Sequence, residues 1–415
     1  MGALDDIRVL DLTQVLAGPY CTMLLADMGA DVVKIERPGG DLIRPNPPFA
    51  EDPEAEPYGG YFQSVNRGKR SIALDLGDEG DREDFLSLVE QADVVVENYR
   101  AGTMESFDLG YETLTEHNPE LIYSSIRGFG DPRTGESPRQ GQPSFDLIAQ
   151  ALGGVMDITG PEDGPPTKVG PGVGDIFTAA LNCSGILAAV HHRERTGEGQ
   201  FVDTSMYDAM ISLCERSIYQ YSYTGEAPSR RGNAHPTLFP YNAFEAADGH
   251  VVIAAFNDRH WRNLCESMSR PDLAAEYDAA ADRLRNRDQL RDEIADWTRD
   301  RPADAIVGEL EDRSRARPSR TPLTSSRTTT HALGKCSSRW TSPARIGASP
   351  SPVRRSRCPR RTPNPANARR SSTNTARNCS IRLKPDRTTD RPRAILPAFS
   401  GRERCRLGTV FQPFV

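Results

Sequence analysis

Five short apolar runs alternate with helical stretches in the first 126 residues, and this alternation restricts the fold more than any other property of the chain. The runs are IRVLDL (7–12), DVVKIE (31–36), SIALDL (71–76), ADVVVE (92–97) and LIYSSI (121–126). Most are too uniformly apolar to keep one wet face, as expected of strands covered on both sides. Covered strands separated by helices, here over 20–28, 81–91 and 111–117, build a parallel sheet, so the expected class is α/β. The first turn, TQVLAGP, lacks G-x-G-x-x-G, which weakens a dinucleotide reading. A ligand at the carboxyl ends of the strands stays open, and each strand stops near polar or aromatic residues: Arg37 after the second, Asn98, Tyr99 and Arg100 after the fourth. Arg67, Lys69 and Arg70 flank the third run; they read equally as a site for a phosphorylated ligand or as a solvated turn.

The stretch over residues 168–203, KVGPGVGDIFTAALNCSGILAAVHHRERTGEGQFVD, is a glycine-rich loop, an acid, a long apolar helix and a strand. Gly170, Gly172 and Gly174 permit unusual backbone angles or close approach to a ligand. Asp175 stands at the mouth of the helix and has two readings, a reactive carboxylate or an N-cap; taken alone, the cap comes first because Asp is among the commonest N-cap residues. His191 and His192 fall at the helix end, where cations are favoured.

Composition divides the chain in two. Residues 1–312 hold 27 basic and 55 acidic groups, whereas residues 313–415 hold 22 Arg and 2 Lys against 3 acids. The acidic part has only three lysines, Lys34, Lys69 and Lys168, a balance suited to hydration in high salt. Its charge argues against nucleic acid or anionic lipid as partner. The acidic N-terminus is not a secretory leader, no run of about 18 apolar residues is apparent, and the cysteines form no C-x-x-C pair. A cytoplasmic protein without a structural metal is expected.

Residues 1–205 are expected as the large domain, 206–230 as a linker and 231–312 as a smaller α+β domain with a hairpin around Asp248-Gly249. Residues 313–415 lose all apolar periodicity and are expected as a basic tail of low order. The charge inversion and four cysteines there favour an out-of-frame translation over a native tail.

Several long segments resemble the family III CoA-transferases in content and order. They are VLDLTQVLAGPYCTMLLADMGADVVKIERPGGD, NRGKRSIALDL, ADVVVENYRAGTMESFDLGYE, FDLIAQALGG, the 171–203 portion of the stretch above, and RRGNAHPTLFPY. The resemblance implies a Rossmann-like large domain with a small domain, two chains interlocked as a homodimer, and Asp175 as the catalytic residue. It also implies a CoA site from Leu16, Ala17, Arg37, Leu74, Asn98, Tyr99 and Arg100, with Phe145 near the thioester. The substrates would be an acyl-CoA and a small carboxylic acid, with succinyl-CoA and dicarboxylic acids in the family's range and no permanently bound cofactor. A helix N-terminus would lower the Asp175 pKa and keep it ionised for attack, and loop N–H groups would steady an oxyanion. His235, in GNAHP, would face the acyl group or serve a turn. Two alternatives stand beside this. One is a 2-methylacyl-CoA racemase, which needs a proton-transfer His where Phe145 stands. The other is an inactive CoA-binding product of a frame-shifted gene.

Overall fold

The structure, a computed structural model, describes residues 2–49, 59–310 and 315–318. The chain begins with β1 (Arg8–Asp11), α1 (Ala17–Asp27), β2 (Asp31–Glu36), α2 (Gly60–Asn66), β3 (Arg70–Ala73), α3 (Glu79–Val89) and β4 (Val94–Glu97). It continues through α4 (Tyr111–His117), β5 (Ile122–Arg127), α5 (Asp146–Leu152), α6 (Val173–Thr196) and β6 (Phe201–Ser205). The six strands pair in the order β3-β2-β1-β4-β5-β6, and every pairing is parallel. This is the doubly wound arrangement, whose order reverses between β1 and β4. Val9, Val94 and Ile122 face a core shared with α1 and α6, while Leu10, Val95 and Tyr123 face the layer of Phe85, Val89 and Leu114. That two-sided burial is why β1, β2, β4 and β5 carry no solvated face, whereas β3 at the sheet edge is exposed.

At 24 residues, α6 is long and apolar enough to cross a membrane by length and composition, which amends the expectation that no segment reaches that size. Half of its apolar window is buried, and Ala179, Cys183, Ile186 and Val190 sit in the core with α1 and the sheet. It is the central helix of the domain. The stretch expected as a linker begins with two helices, α7 (Met206–Leu213) and α8 (Glu215–Thr224).

The second sheet contains the expected hairpin, β7 (Tyr241–Ala246) against β8 (Gly249–Ala254). Around it fold α9 (Asp258–Ser267), α10 (Pro271–Glu276), α11 (Ala280–Arg285), α12 (Arg287–Arg299) and α13 (Ala303–Leu310), with Trp261, Leu264, Leu290, Ile294 and Ile306 wholly buried. A third strand, β9 (Arg315–Pro318), pairs antiparallel with β8. It lies inside the segment expected to be of low order, so order extends beyond that boundary. The free edge of β8 supplies backbone partners, and a strand needs little side-chain pattern once those exist; Ala316 enters the core. Otherwise the expected tail lies outside the described residues.

Candidate active site at the carboxyl edge of the parallel sheet

The loops leaving β1 and β4 meet where the strand order reverses, and buried polar groups at the strand ends hold them. Asp11, at the end of β1, accepts hydrogen bonds from the Thr13 N–H (2.9 Å), the Thr22 hydroxyl (2.7 Å) and Lys69 Nζ (2.9 Å). Burial alone would raise its pKa, but Lys69 and Lys34 outweigh it and hold the carboxyl well below the usual range. Lys34, wholly buried in β2, donates to the Thr13 carbonyl (2.7 Å) and pairs with Asp41 at 3.0 Å. At the end of β4, Glu97 pairs with Arg127 at 2.6 Å, yet burial dominates and pushes its carboxyl up to about 7.

Beside these struts lies a pocket of about 280 Å³ whose lining includes Thr13, Gln14, Arg37, Leu74 and Tyr99. Three residues expected at a CoA site, Arg37, Leu74 and Tyr99, therefore share one cavity. Arg37 is exposed, its Nε donating to the Gly40 carbonyl at 3.2 Å, and among the described residues it pairs with no carboxylate. Asn98 is committed differently. Its amide both accepts from the Gln14 N–H and donates to the Gln14 carbonyl, each at 2.8 Å, so it ties the β1 and β4 loops together. Arg100 is exposed beyond it, and Ala17 is buried as the first residue of α1.

Leu16, in the loop whose Thr13 and Gln14 line this pocket, lies near the start of α6. A Cβ added at Gly172 would come 3.1 Å from Leu16 Cδ2 and 3.8 Å from Asp175 Oδ2. Within the same loop Val15 adopts φ 66°, the left-handed region that a β-branched side chain rarely tolerates. Such strain persists only where neighbours impose it, typically at ligand-contacting sites.

Asp175 is not the helix cap, which corrects one of its two expected roles. Gly172 is the N-cap residue, α6 begins at Val173, and Asp175 is the third helical position. The cap comes from another helix: Asp146 Oδ1 accepts the Gly174 N–H at 2.8 Å. The expectation of a lowered pKa also fails. Burial pushes the Asp175 carboxyl up to about 7, and the like charge of Asp146 adds to the rise; together they outweigh the helix terminus. Oxyanion donors are fewer than the glycine count implies, because the Gly174 and Ile176 N–H groups bond Asp146 and the Gly172 carbonyl.

Other expectations resolve elsewhere. Phe145 is the N-cap residue of α5 and is 66% exposed. His235 serves a turn, its Nδ1 accepting from the Thr237 and Leu238 N–H groups at 3.2 and 3.1 Å. Arg67, Lys69 and Arg70 lie where β3 begins and pair with Asp27, Asp11 and Asp31, so Lys69 belongs to the buried struts described above. Sequence reasoning missed Asp146 and Gln150, whose four-residue spacing in FDLIAQ puts both on one helix face. It also missed Tyr61 on α2, whose phenol is pushed up to about 12 by burial, Asp175, Asp41 and Asp146.

Comparison with known proteins follows the same lines. A Haloarcula hispanica protein named succinyl-CoA:mesaconate CoA-transferase is 76% identical over 318 residues, covering 77% of this chain and 80% of its own. The high-salt surface expected from composition fits that source. The acetyl-CoA:oxalate CoA-transferase of Acetobacter aceti is 42% identical over 294 residues, covering 70% and 73%. Among solved structures, a CAIB/BAIF family protein from Brucella suis superposes with a TM-score of 0.71 at 36% identity, over 79% of this chain and 86% of that one. Residues 4–366 match the sequence pattern of CoA-transferase family III, and the chain belongs to that family.

Proposed function

We propose that the enzyme moves CoA from succinyl-CoA to a small dicarboxylic acid, mesaconate first among them, with Asp175 as the nucleophile. The observation that carries this reading is the position of Asp175: a partly buried carboxyl in the first turn of α6, next to the loop that lines the pocket at its other end. The choice of substrates is supported by the name of the Haloarcula relative. In the first step an Asp175 oxygen attacks the thioester carbonyl; the C–S bond breaks, CoA leaves as thiolate and a mixed anhydride forms. Thiolate then attacks the Asp175 carbonyl, giving an aspartyl-CoA thioester and releasing succinate. The acceptor carboxylate and the thiolate repeat the two steps in reverse order, which restores Asp175 and needs no further reactant. In this reading Arg37 and Arg100 face the nucleotide phosphates, while Leu16, Ala17, Leu74, Asn98, Tyr99 and Phe145 shape the path of the thioester.

The proposal places CoA binding in residues 1–205, with a linker over 206–230 and a smaller domain over 231–312, in a cytoplasmic homodimer. Exposed apolar side chains on α5 and α8, among them Leu147, Ile148, Tyr219 and Tyr223, support the pairing of two copies.

An acceptor screen with succinyl-CoA as donor, followed by mass, tests the substrates: mesaconyl-CoA is expected to form fastest. Equal or faster transfer to unrelated monocarboxylic acids would overturn the choice. The pH dependence follows from Asp175. The attack needs the ionised form, so kcat/KM for the donor is expected to rise with pH through about 7 and to level off above it. A profile flat between pH 5.5 and 8 would contradict it.

A further inference from the structure

We propose that Gln150 is a positioning residue for transfer, acting on Asp175 through the carboxylate of Asp146; the proposal rests on Asp175 being the nucleophile. Gln150 is wholly buried in α5. Its Oε1 accepts the Val169 N–H at 2.8 Å, and since only the oxygen can accept, this bond fixes the amide orientation. Nε2 must then face Asp146, where it donates to Oδ1 at 3.0 Å and Oδ2 at 2.9 Å. Asp146 Oδ1 in turn accepts the Gly174 N–H. The chain Val169–Gln150–Asp146–Gly174 thus spans the loop that enters α6 and holds it on both sides of residues 170–173.

The amide contributes more than geometry. Both oxygens of Asp146 receive a hydrogen bond from the same buried amide, which fixes where that like charge stands relative to Asp175. A charged Asp146 in turn disfavours charge on Asp175, so Asp175 stays basic and a stronger nucleophile. Among the described residues, the titratable groups set electrostatically against Asp175 are Asp146 from α5 and the Tyr61 phenol from α2. Tyr61 is neutral throughout the working range, which leaves Asp146 as the charge that tunes the site. Gly174 has no room for a side chain there, a Cβ meeting Asp146 Oδ1 at 3.0 Å, so the two helices stay in register.

The test compares transfer rates at pH 6 and pH 8, with succinyl-CoA and mesaconate, in wild type, Gln150→Leu, Asp146→Asn and the double variant. With Asp175 titrating at about 7, the wild-type rate at pH 6 is about a tenth of that at pH 8. Gln150→Leu is expected to raise this ratio to about one half, a shift of about one pH unit, whatever its absolute rate. In the Asp146→Asn background, where the ratio is already raised, Gln150→Leu should leave it unchanged, because the group through which it acts is gone. Thermal melting confirms that each variant is folded, and Gln150→Met, closer in shape, replaces Gln150→Leu if the latter melts early. A ratio unmoved in a folded Gln150 variant, with rates reduced evenly at both pH values, would show a purely structural role and overturn the proposal. Failure of the underlying reading looks different: Asp175→Asn would then still turn over.

Discussion

Replacing Asp175 by Ala is expected to abolish CoA transfer, by about 10³-fold or more, while CoA still binds and the protein melts no earlier than wild type. Hydroxylamine should trap an acyl group on the wild type and none on the variant. The stability half of this result separates two roles. An N-cap Asp lost to Ala costs about 1 kcal/mol, but here Gly172 is the cap residue and Asp146 supplies the capping oxygen. Asp175 is instead a partly buried carboxyl held next to a like charge, and its removal relieves that repulsion. Loss of activity without loss of stability is the expected mark of a residue kept for chemistry. A variant that keeps most of its activity, measured by thioester exchange followed by mass, would sink the nucleophile.

Asp11→Asn should be the most damaging substitution for stability outside the apolar core, at about 3–5 kcal/mol. The ion pair it breaks is wholly buried, with Lys69 and Asp11 side chains 2% and 0% exposed at 2.9 Å. The amide keeps the shape but leaves Lys69 without its counter-charge. The denaturation midpoint in guanidinium chloride reads the loss directly, and a change under about 1 kcal/mol would refute the role of the pair. Its pH signature is fixed in sign. The folded Asp11 pKa lies below the unfolded value of 3.8, so the stabilisation is complete above that value and disappears as the pH falls below it.

The parallel sheet was legible because β1, β2, β4 and β5 are buried on both faces, a state that leaves a direct compositional trace. The position of Asp175 was legible too, since a glycine-rich loop before a long apolar helix has few other readings. Its environment was not. That Asp146 caps α6 from another helix, and that its charge reaches Asp175, depends on a pairing of α5 with α6 that no local pattern encodes. Asn98 shows the same limit: its two bonds to Gln14, which hold neighbouring loops together, depend on a loop pairing that no local pattern encodes. Arg67 and Arg70 kept two readings in the sequence, because their pairing with Asp27 and Asp31 depends on the fold bringing those acids near. The strand β9 was hidden by composition, since four residues pairing with an existing edge need little side-chain pattern of their own.

The burial of the strand-end charges bears on how such a site behaves in concentrated salt. At 1 M the Debye length is about 3 Å, so mobile ions weaken exposed pairs such as Arg67–Asp27. Ions that cannot enter the interior leave Lys69–Asp11, Lys34–Asp41 and Arg127–Glu97 unscreened. A frame built from these pairs keeps the β1 and β4 loops at a constant spacing as ionic strength changes. The acidic exterior is thereby free to bind and release hydrated cations without disturbing the place where the reacting groups meet.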